Sequence, residues 1–352
     1  MYRFRKDLQH KEAVKISVPH QEVMMCLNEN PLNPYPELKE EFQQILTEVP
    51  FNRYFNEVTQ KLQELLSNYI EIGGDCIAMG NGADEMLYYL FTSLNAPESY
   101  ILSLAPSYFD YKSYSSAVGL SCRFLHLDQN YNFEADEFLQ LLQPVNCKLG
   151  IICNPNNPTG NLFAAEKIIN IIKNTDKLIL VDEAYFEFAG ETLLDYVHKY
   201  PNLIILRTFS KSFASAGLRF GYLVSNPENI TEIKKVITAF NLSLVTQAFA
   251  LVILRNKEIF LQNIVTLIKE REYIYSRLSQ IDEIEPIKSY TNFITFTAGN
   301  KTKKLFKYLQ TNGIALRAVW QHPVLEDHVR VTVSRKKDNK LFLQKVKEFI
   351  QT

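Results

Sequence analysis

The 352-residue chain predicts an α/β fold, in which a large domain built on a mainly parallel, doubly wound sheet is followed by a smaller α+β domain. Three observations predict it. From about residue 40 to residue 225, helical patterns alternate with short apolar runs at 99–105, 120–127, 148–154, 177–185 and 202–210. Such alternation is how a strand, its crossover helix and the next parallel strand read in a sequence. Polar residues gather just after these runs, where a doubly wound sheet holds its ligands. Beyond residue 226 the pattern turns helical and then mixed, with strands expected near 292–297, 313–319 and 328–334 and a closing helix at about 338–350.

Taken in order, residues 1–40 form a polar, proline-containing arm whose NPLNPYPEL (30–38) leads into a helix over about 37–48. Residues 41–240 form the large domain, and 241–352 the small C-terminal one, entered through a long interdomain helix within the helical stretch at 226–280. Composition excludes several classes. Thirty-eight Lys and Arg stand against 39 Asp and Glu, a formal net charge of -1, with the signs interspersed; nucleic acid is not an expected partner. No run approaches the ~18 apolar residues of a membrane helix, so no membrane partner is expected either. The charged start MYRFRKDLQHKEAVK lacks the apolar core of a signal peptide, which predicts a cytoplasmic protein. The five cysteines (26, 76, 122, 147 and 153) contain no C-x-x-C and have no histidine at ligand spacing, so neither a disulfide framework nor a metal site is expected.

Four run ends carry unusual chemistry. GNGADE (80–85) places two glycines before a helix, where free backbone N–H groups and the helix dipole can hold an anion. A dinucleotide fingerprint would need a third glycine where Glu85 stands, which excludes that reading. NPNNPTG (154–160) makes a rigid turn that exposes Asn157. Asp182 ends a wholly apolar strand, where a carboxylate is costly without a cation, and Tyr185 follows it. Ser210 and Lys211, at the end of the run at 202–210, and Arg219 crowd a glycine-containing loop. An amine, a strand-end carboxylate, a phosphate cradle and an exposed Asn/Tyr pair together meet the demands of pyridoxal phosphate.

The segments GNGADE, APSYF, NPNNPTG, VDEAY and TFSKSFASAGLRFGY, with Asp182 lying 25 positions after Asn157 and Lys211 a further 29 on, resemble the class I/II aminotransferases of fold type I, and among them the histidinol-phosphate aminotransferases. The resemblance spans roughly residues 24–335. It implies that Lys211 bonds the cofactor and moves the substrate's α-proton, that Asp182 meets the ring nitrogen, and that Tyr185 and Asn157 meet the ring oxygen. Tyr108 in APSYF would stack on the ring, with Phe109 as the alternative. Thr208, Ser210 and Arg219, with the backbone of Ala83 and Asp84, would hold the phosphate. Arg330 in VRVTVS, with Arg335 as the fallback, would take the substrate's anionic group, aided by Arg317. Asn30 in LNENP (27–31) would contact substrate, and Tyr54 in NRYF (52–55) would reach the cofactor phosphate of a second subunit, which implies a homodimer with a shared site. The implied reaction is a ping-pong amino exchange between L-histidinol phosphate and 2-oxoglutarate. An aromatic amino acid aminotransferase and a lyase resembling the threonine-phosphate decarboxylases are the alternatives.

Overall fold

The computed structural model describes residues 5, 8, 12, 13, 19–54 and 57–351. The rest of the expected arm, and Phe55 of NRYF, lie outside the described residues. The strands in chain order are β1 (Val23–Met24), β2 (Ile77–Gly80), β3 (Tyr100–Ala105), β4 (Ser121–His126), β5 (Cys147–Cys153), β6 (Leu178–Asp182), β7 (Leu203–Thr208), β8 (Gly221–Val224), β9 (Glu285–Pro286), β10 (Phe293–Thr297), β11 (Ile314–Ala315), β12 (Arg317–Ala318) and β13 (His328–Thr332).

Seven of these make one sheet in the order β2-β8-β7-β6-β5-β3-β4. Only β8 runs against the others, pairing antiparallel with both β2 and β7. The five apolar runs are five of its strands. The central ones are largely apolar because helices cover both faces, and β7 is buried along its whole length. The sequence reading missed β2 and β8. Both are four residues long and adjoin the loop motifs GNGADE and LRFGY, so neither shows a periodic run of its own.

The helices follow local rules. Asn226 caps Pro227–Lys234 by accepting from the Asn229 N–H at 2.8 Å, and Ser243 caps Leu244–Arg255 by accepting from the Thr246 N–H at 3.1 Å. Ala165–Lys173 turns Ile168, Ile171 and Ile172 inward, the spacing of a single helix face. The stretch expected as helical at 226–280 contains these two capped helices and the 22-residue helix Lys257–Leu278.

The C-terminal unit carries the antiparallel sheet β12-β13-β10-β9 backed by helices Thr302–Thr311 and Lys336–Ile350. The single strand expected at 313–319 is instead two. β11 pairs in parallel with β1, whereas β12 pairs with β13, so the chain changes partner at Leu316. One buried cluster packs on the seven-stranded sheet and takes in the start of the long helix up to Phe260, a second packs on the C-terminal sheet and takes in that helix from Ile264 on, and a third also packs on the seven-stranded sheet. The second takes in Val23 and Met25, because the arm lies along the C-terminal unit: the Thr332 N–H donates to the Met25 carbonyl at 2.9 Å.

Candidate active site

The carboxyl ends of β3, β5, β6 and β7 open into a cavity of about 730 Å³, closed on its other side by β12, β13 and the arm. At its floor, Asp182 is buried and accepts hydrogen bonds from the Tyr111 hydroxyl at 2.6 Å and the Ala184 N–H at 3.0 Å. Neither partner is a cation. Burial therefore pushes its carboxyl up to about 6, with the Tyr111 hydrogen bond opposing. Tyr185 is buried against the Phe293 ring, and its hydroxyl accepts from Asn28 Nδ2 at 2.9 Å. Asn157 Oδ1 accepts from Arg330 at 2.5 Å.

Lys211 lines the same cavity, its Nζ 3.2 Å from the Leu27 carbonyl. Burial, and then the charge of Arg330, lowers its ammonium to about 8. Around it stand the groups expected to form an anion cradle. The N–H groups of Ala83 and Asp84 belong to the first turn of helix Ala83–Leu94 and have no carbonyl within the helix to bind. Thr208 Oγ1 and Ser210 Oγ are 3.0 Å apart, and Arg219 reaches Ser210 at 3.4 Å and the Asp84 carboxylate at 2.9 Å. Gly82 has φ of 87°, and a Cβ there would come within 2.6 Å of Arg219 Nη2. At Gly221 a Cβ would meet the Ala83 nitrogen at 2.4 Å.

Arg330 and Arg317 face each other across the β12/β13 pair, both lining the cavity. Arg330 donates to Asn157 and to the Cys26 carbonyl at 3.2 Å, while its Nε is buried without a hydrogen-bond partner. Tyr108 donates to Asp84 at 3.1 Å and packs edge-on to Tyr111, whereas Phe109 is 67% exposed.

Three of the expected residues stand apart. Asn30 is not part of the cavity wall: its side chain donates to the Ser212 carbonyl at 3.2 Å and accepts from the Leu32 N–H, pinning the arm over the Lys211 loop. The asparagine at the wall is Asn28, in the same LNENP segment. Its N–H donates to Thr332 Oγ1 at 2.9 Å and its carbonyl accepts from Asn292, so the arm presents it from a fixed backbone. Tyr54 is 83% exposed and stacks on Phe240 at 4.5 Å between ring centres, outside the cavity wall. Arg335 donates to the Pro31 carbonyl at 3.1 Å and also lies outside the wall. Sequence reasoning missed Tyr111 and the Asp84 side chain. Tyr111 is one of 19 tyrosines, and only β3 beside β5 and β6 brings it to Asp182.

These residues suit a flat, phosphate-bearing, cationic ring. A buried carboxyl without a cation waits at the floor, and the helix start has no room for a Cβ beside the cradle. The fold and site together define a pyridoxal-phosphate-dependent transferase. A family model for aminotransferase class I and II matches residues 21–346, and the chain belongs to that family. It is 32% identical over 336 residues to a histidinol-phosphate aminotransferase of Clostridium novyi (strain NT), covering 96% of this chain and 94% of the relative. The solved histidinol-phosphate aminotransferase of Clostridium acetobutylicum superposes with a TM-score of 0.83 at 27% identity, over 93% of this chain and 98% of that one. The Sinorhizobium meliloti histidinol-phosphate aminotransferase, solved with pyridoxal-5'-phosphate, shares the fold at a TM-score of 0.89 and 21% identity, over 100% and 98% of the two chains. Among the described residues no helix is long and apolar enough to cross a membrane.

Proposed function

We propose that the chain moves an amino group between L-histidinol phosphate and 2-oxoglutarate, giving imidazole acetol phosphate and L-glutamate, in two alternating half-reactions of histidine biosynthesis. The observation that carries this reading is Arg317 opposite Arg330 in one cavity with Lys211. Two guanidinium groups suit a phosphate monoester in one half-reaction and a dicarboxylate in the other. The relatives' names support the same substrate.

Bound pyridoxal phosphate supplies an electron sink that makes the substrate's Cα proton acidic. The remaining roles fall to the chain. Asp182 keeps the ring nitrogen protonated, which its own burial favours because the new cation relieves an unpaired carboxylate. Tyr185 and Asn157 donate to the ring oxygen, and Tyr108 covers the ring face. Ala83, Asp84, Thr208, Ser210 and Arg219 hold the phosphate. Lys211, lowered to about 8, has free amine near neutral pH with which to bond the cofactor and then carry the proton from Cα. Asn28 holds the Tyr185 hydroxyl in place, and Asn30 clasps the arm.

The proposal includes a homodimer. Phe51, Tyr54 and Phe240 are 58%, 83% and 59% exposed, an aromatic surface that a second copy would cover while Tyr54 reaches the partner's phosphate cradle. Residues 1–40, 41–240 and 241–352 are proposed as arm, large and small domains, with the packing hinge lying inside helix Lys257–Leu278, where the clusters change. Five unpaired thiols fit a cytoplasmic location.

The test is the visible absorption of the holoenzyme mixed with L-glutamate, L-histidinol phosphate or L-phenylalanine, each without a keto acid. Loss of the lysine-bound cofactor band with the first two supports the reading, and comparison with phenylalanine ranks the aromatic alternative. If neither of the first two removes the band, the assignment falls; release of CO2 would move the enzyme to the lyases.

A further inference from the structure

The segment between β12 and β13, residues 319–327, holds none of the motifs above, yet it continues the cavity wall: Arg317, Ala318, Val319, Gln321 and His322 all line it. Its ties to the C-terminal unit are modest. The Trp320 ring packs edge-on to Phe306 at 5.2 Å between centres, Leu325 is buried, and β12 is a two-residue edge strand paired with β13 alone. Among the described residues, one hydrogen bond carries the segment across to the large domain. His322 Nε2 lies 3.1 Å from Nδ1 of His126, the last residue of β4, which is itself the edge strand of the seven-stranded sheet. Both imidazoles line the cavity.

The hydrogen bonds fix where the protons of this pair sit. His322 Nδ1 accepts from the Val324 N–H at 3.4 Å, so a neutral His322 holds its proton on Nε2 and donates it to His126 Nδ1. His126 then keeps its own proton on Nε2. One added proton must occupy a nitrogen that is accepting now, and wherever it settles the Val324 contact is lost. A second leaves two N–H groups facing each other and breaks the link. The surrounding charges do not favour that uptake. Lys112 and Asp110 line the cavity from helix Asp110–Ala117, and Arg317 from β12. Asp128, just beyond β4, accepts from the Asn130 and Asn132 N–H groups, and Asp327 lies 3.7 Å from Lys303. Burial, and then the charge of His126, lowers the His322 imidazole below the ordinary histidine range, so the pair is neutral and joined at neutral pH.

The two arginines of the cavity are held differently. Arg330 is bonded to Asn157 and to the Cys26 carbonyl, and the start of its strand is tied to the large domain where His328 Nε2 lies 3.0 Å from the Tyr131 hydroxyl. The Arg317 guanidinium has no hydrogen bond or ion pair among the described residues. Its place therefore follows the backbone of the wall. We propose that His126 and His322 are positioning residues: joined, they clasp the wall at 319–322 to β4 and so hold Arg317 opposite Arg330 for the second anionic group of the substrate. The effect on substrate rests on the reading of this cavity as an amino-exchange site, whereas the clasp itself can be tested without it.

The experiment compares holoenzymes of wild type, His126→Ala, His322→Ala, the double variant and His126→Asn, with L-glutamate as substrate from pH 5 to pH 9. Either Ala variant should raise KM for glutamate about fivefold at pH 8 with kcat within about twofold, the pattern of binding lost equally from the bound and reacting states. The double variant should be no worse than either single one, because each removes the same bond. His126→Asn keeps an acceptor oxygen where Nδ1 stood and cannot take a proton. It should therefore match the wild-type KM at pH 8 and have a lower KM than wild type at pH 5. The KM ratio of His322→Ala to wild type should fall towards one at pH 5, where the wild-type clasp is lost as well. Trp320, the single tryptophan of the chain, reads the wall without substrate: its quenching by acrylamide should rise in both Ala variants at pH 8 and in wild type at pH 5. Wild-type KM in the Ala variants, additive effects in the double variant, or quenching that none of these changes alters would overturn the proposal. If glutamate leaves the cofactor band untouched, the amino-exchange reading falls, and the quenching by itself decides the clasp.

Discussion

At the scale of single residues, the site is governed by what burial does to charge. Asp182 without a cation is raised to about 6, so ionising it costs stability as the pH rises from its unfolded value near ~3.9 through 6. In cofactor-free protein, Asp182→Asn is therefore expected to raise the thermal midpoint above pH 6 and to leave it unchanged near pH 4; an unchanged difference across that range would show that the carboxyl is already paired. In holoenzyme the same substitution is expected to lower kcat by about two orders of magnitude or more, because the ring nitrogen loses its counter-charge. Lys211→Ala should remove turnover by several orders of magnitude, as measured by glutamate-dependent keto acid formation. Arg330→Gln deletes the cation that also orients Asn157, and is expected to raise KM for both substrates at least tenfold, read from initial rates. Asp182, Lys211 and Arg330 were legible because each is a charged residue at a run end or in a recognisable motif. Asn28 and Tyr111 were not. Asn30 is as plausible as Asn28 in LNENP until the left-handed turn at Asn28, with φ of 54°, and its bond to Thr332 show which side chain turns inward.

At the scale of elements, the phosphate cradle depends on two loops meeting without side chains between them. Gly82 and Gly221 lie on opposite sides of that contact, and each would drive a Cβ into Arg219 or into the Ala83 nitrogen. Gly82→Ala meets a flexible side chain and an unfavourable φ, whereas Gly221→Ala meets backbone. The expected order of cofactor Kd, measured by fluorescence titration of cofactor-free protein, is wild type, then Gly82→Ala, then Gly221→Ala; equal affinities would show that the cradle is more compliant than its geometry implies. GNGADE disclosed the helix start, yet β2 and β8 on either side of the contact were invisible. Their four-residue lengths give too short a pattern to separate strand from loop. The split of 313–319 into β11 and β12 was hidden for a related reason, since one apolar run says nothing about which neighbour each half pairs with.

At the scale of the whole molecule, the cavity exists only because two units and an arm close around it. If the exposed Phe51, Tyr54 and Phe240 are the seat of a second copy, sedimentation should give a mass of about twice 40.8 kDa, and Tyr54→Ala should weaken cofactor retention on dialysis. A monomer that keeps its cofactor would defeat that part of the reading. The alternation of apolar runs and helices determined the α/β class, because parallel strands buried on both faces must be mainly apolar. The residues ending those runs determined the cofactor chemistry, because a doubly wound sheet gathers its strand ends at one edge. Tertiary structure alone decided the rest. It brought Arg317 into register with Arg330, set Tyr111 on Asp182, and turned Asn28 rather than Asn30 into the cavity. All three depend on contacts between residues apart in the chain, and local sequence pattern carries no information about which distant partner a side chain will meet.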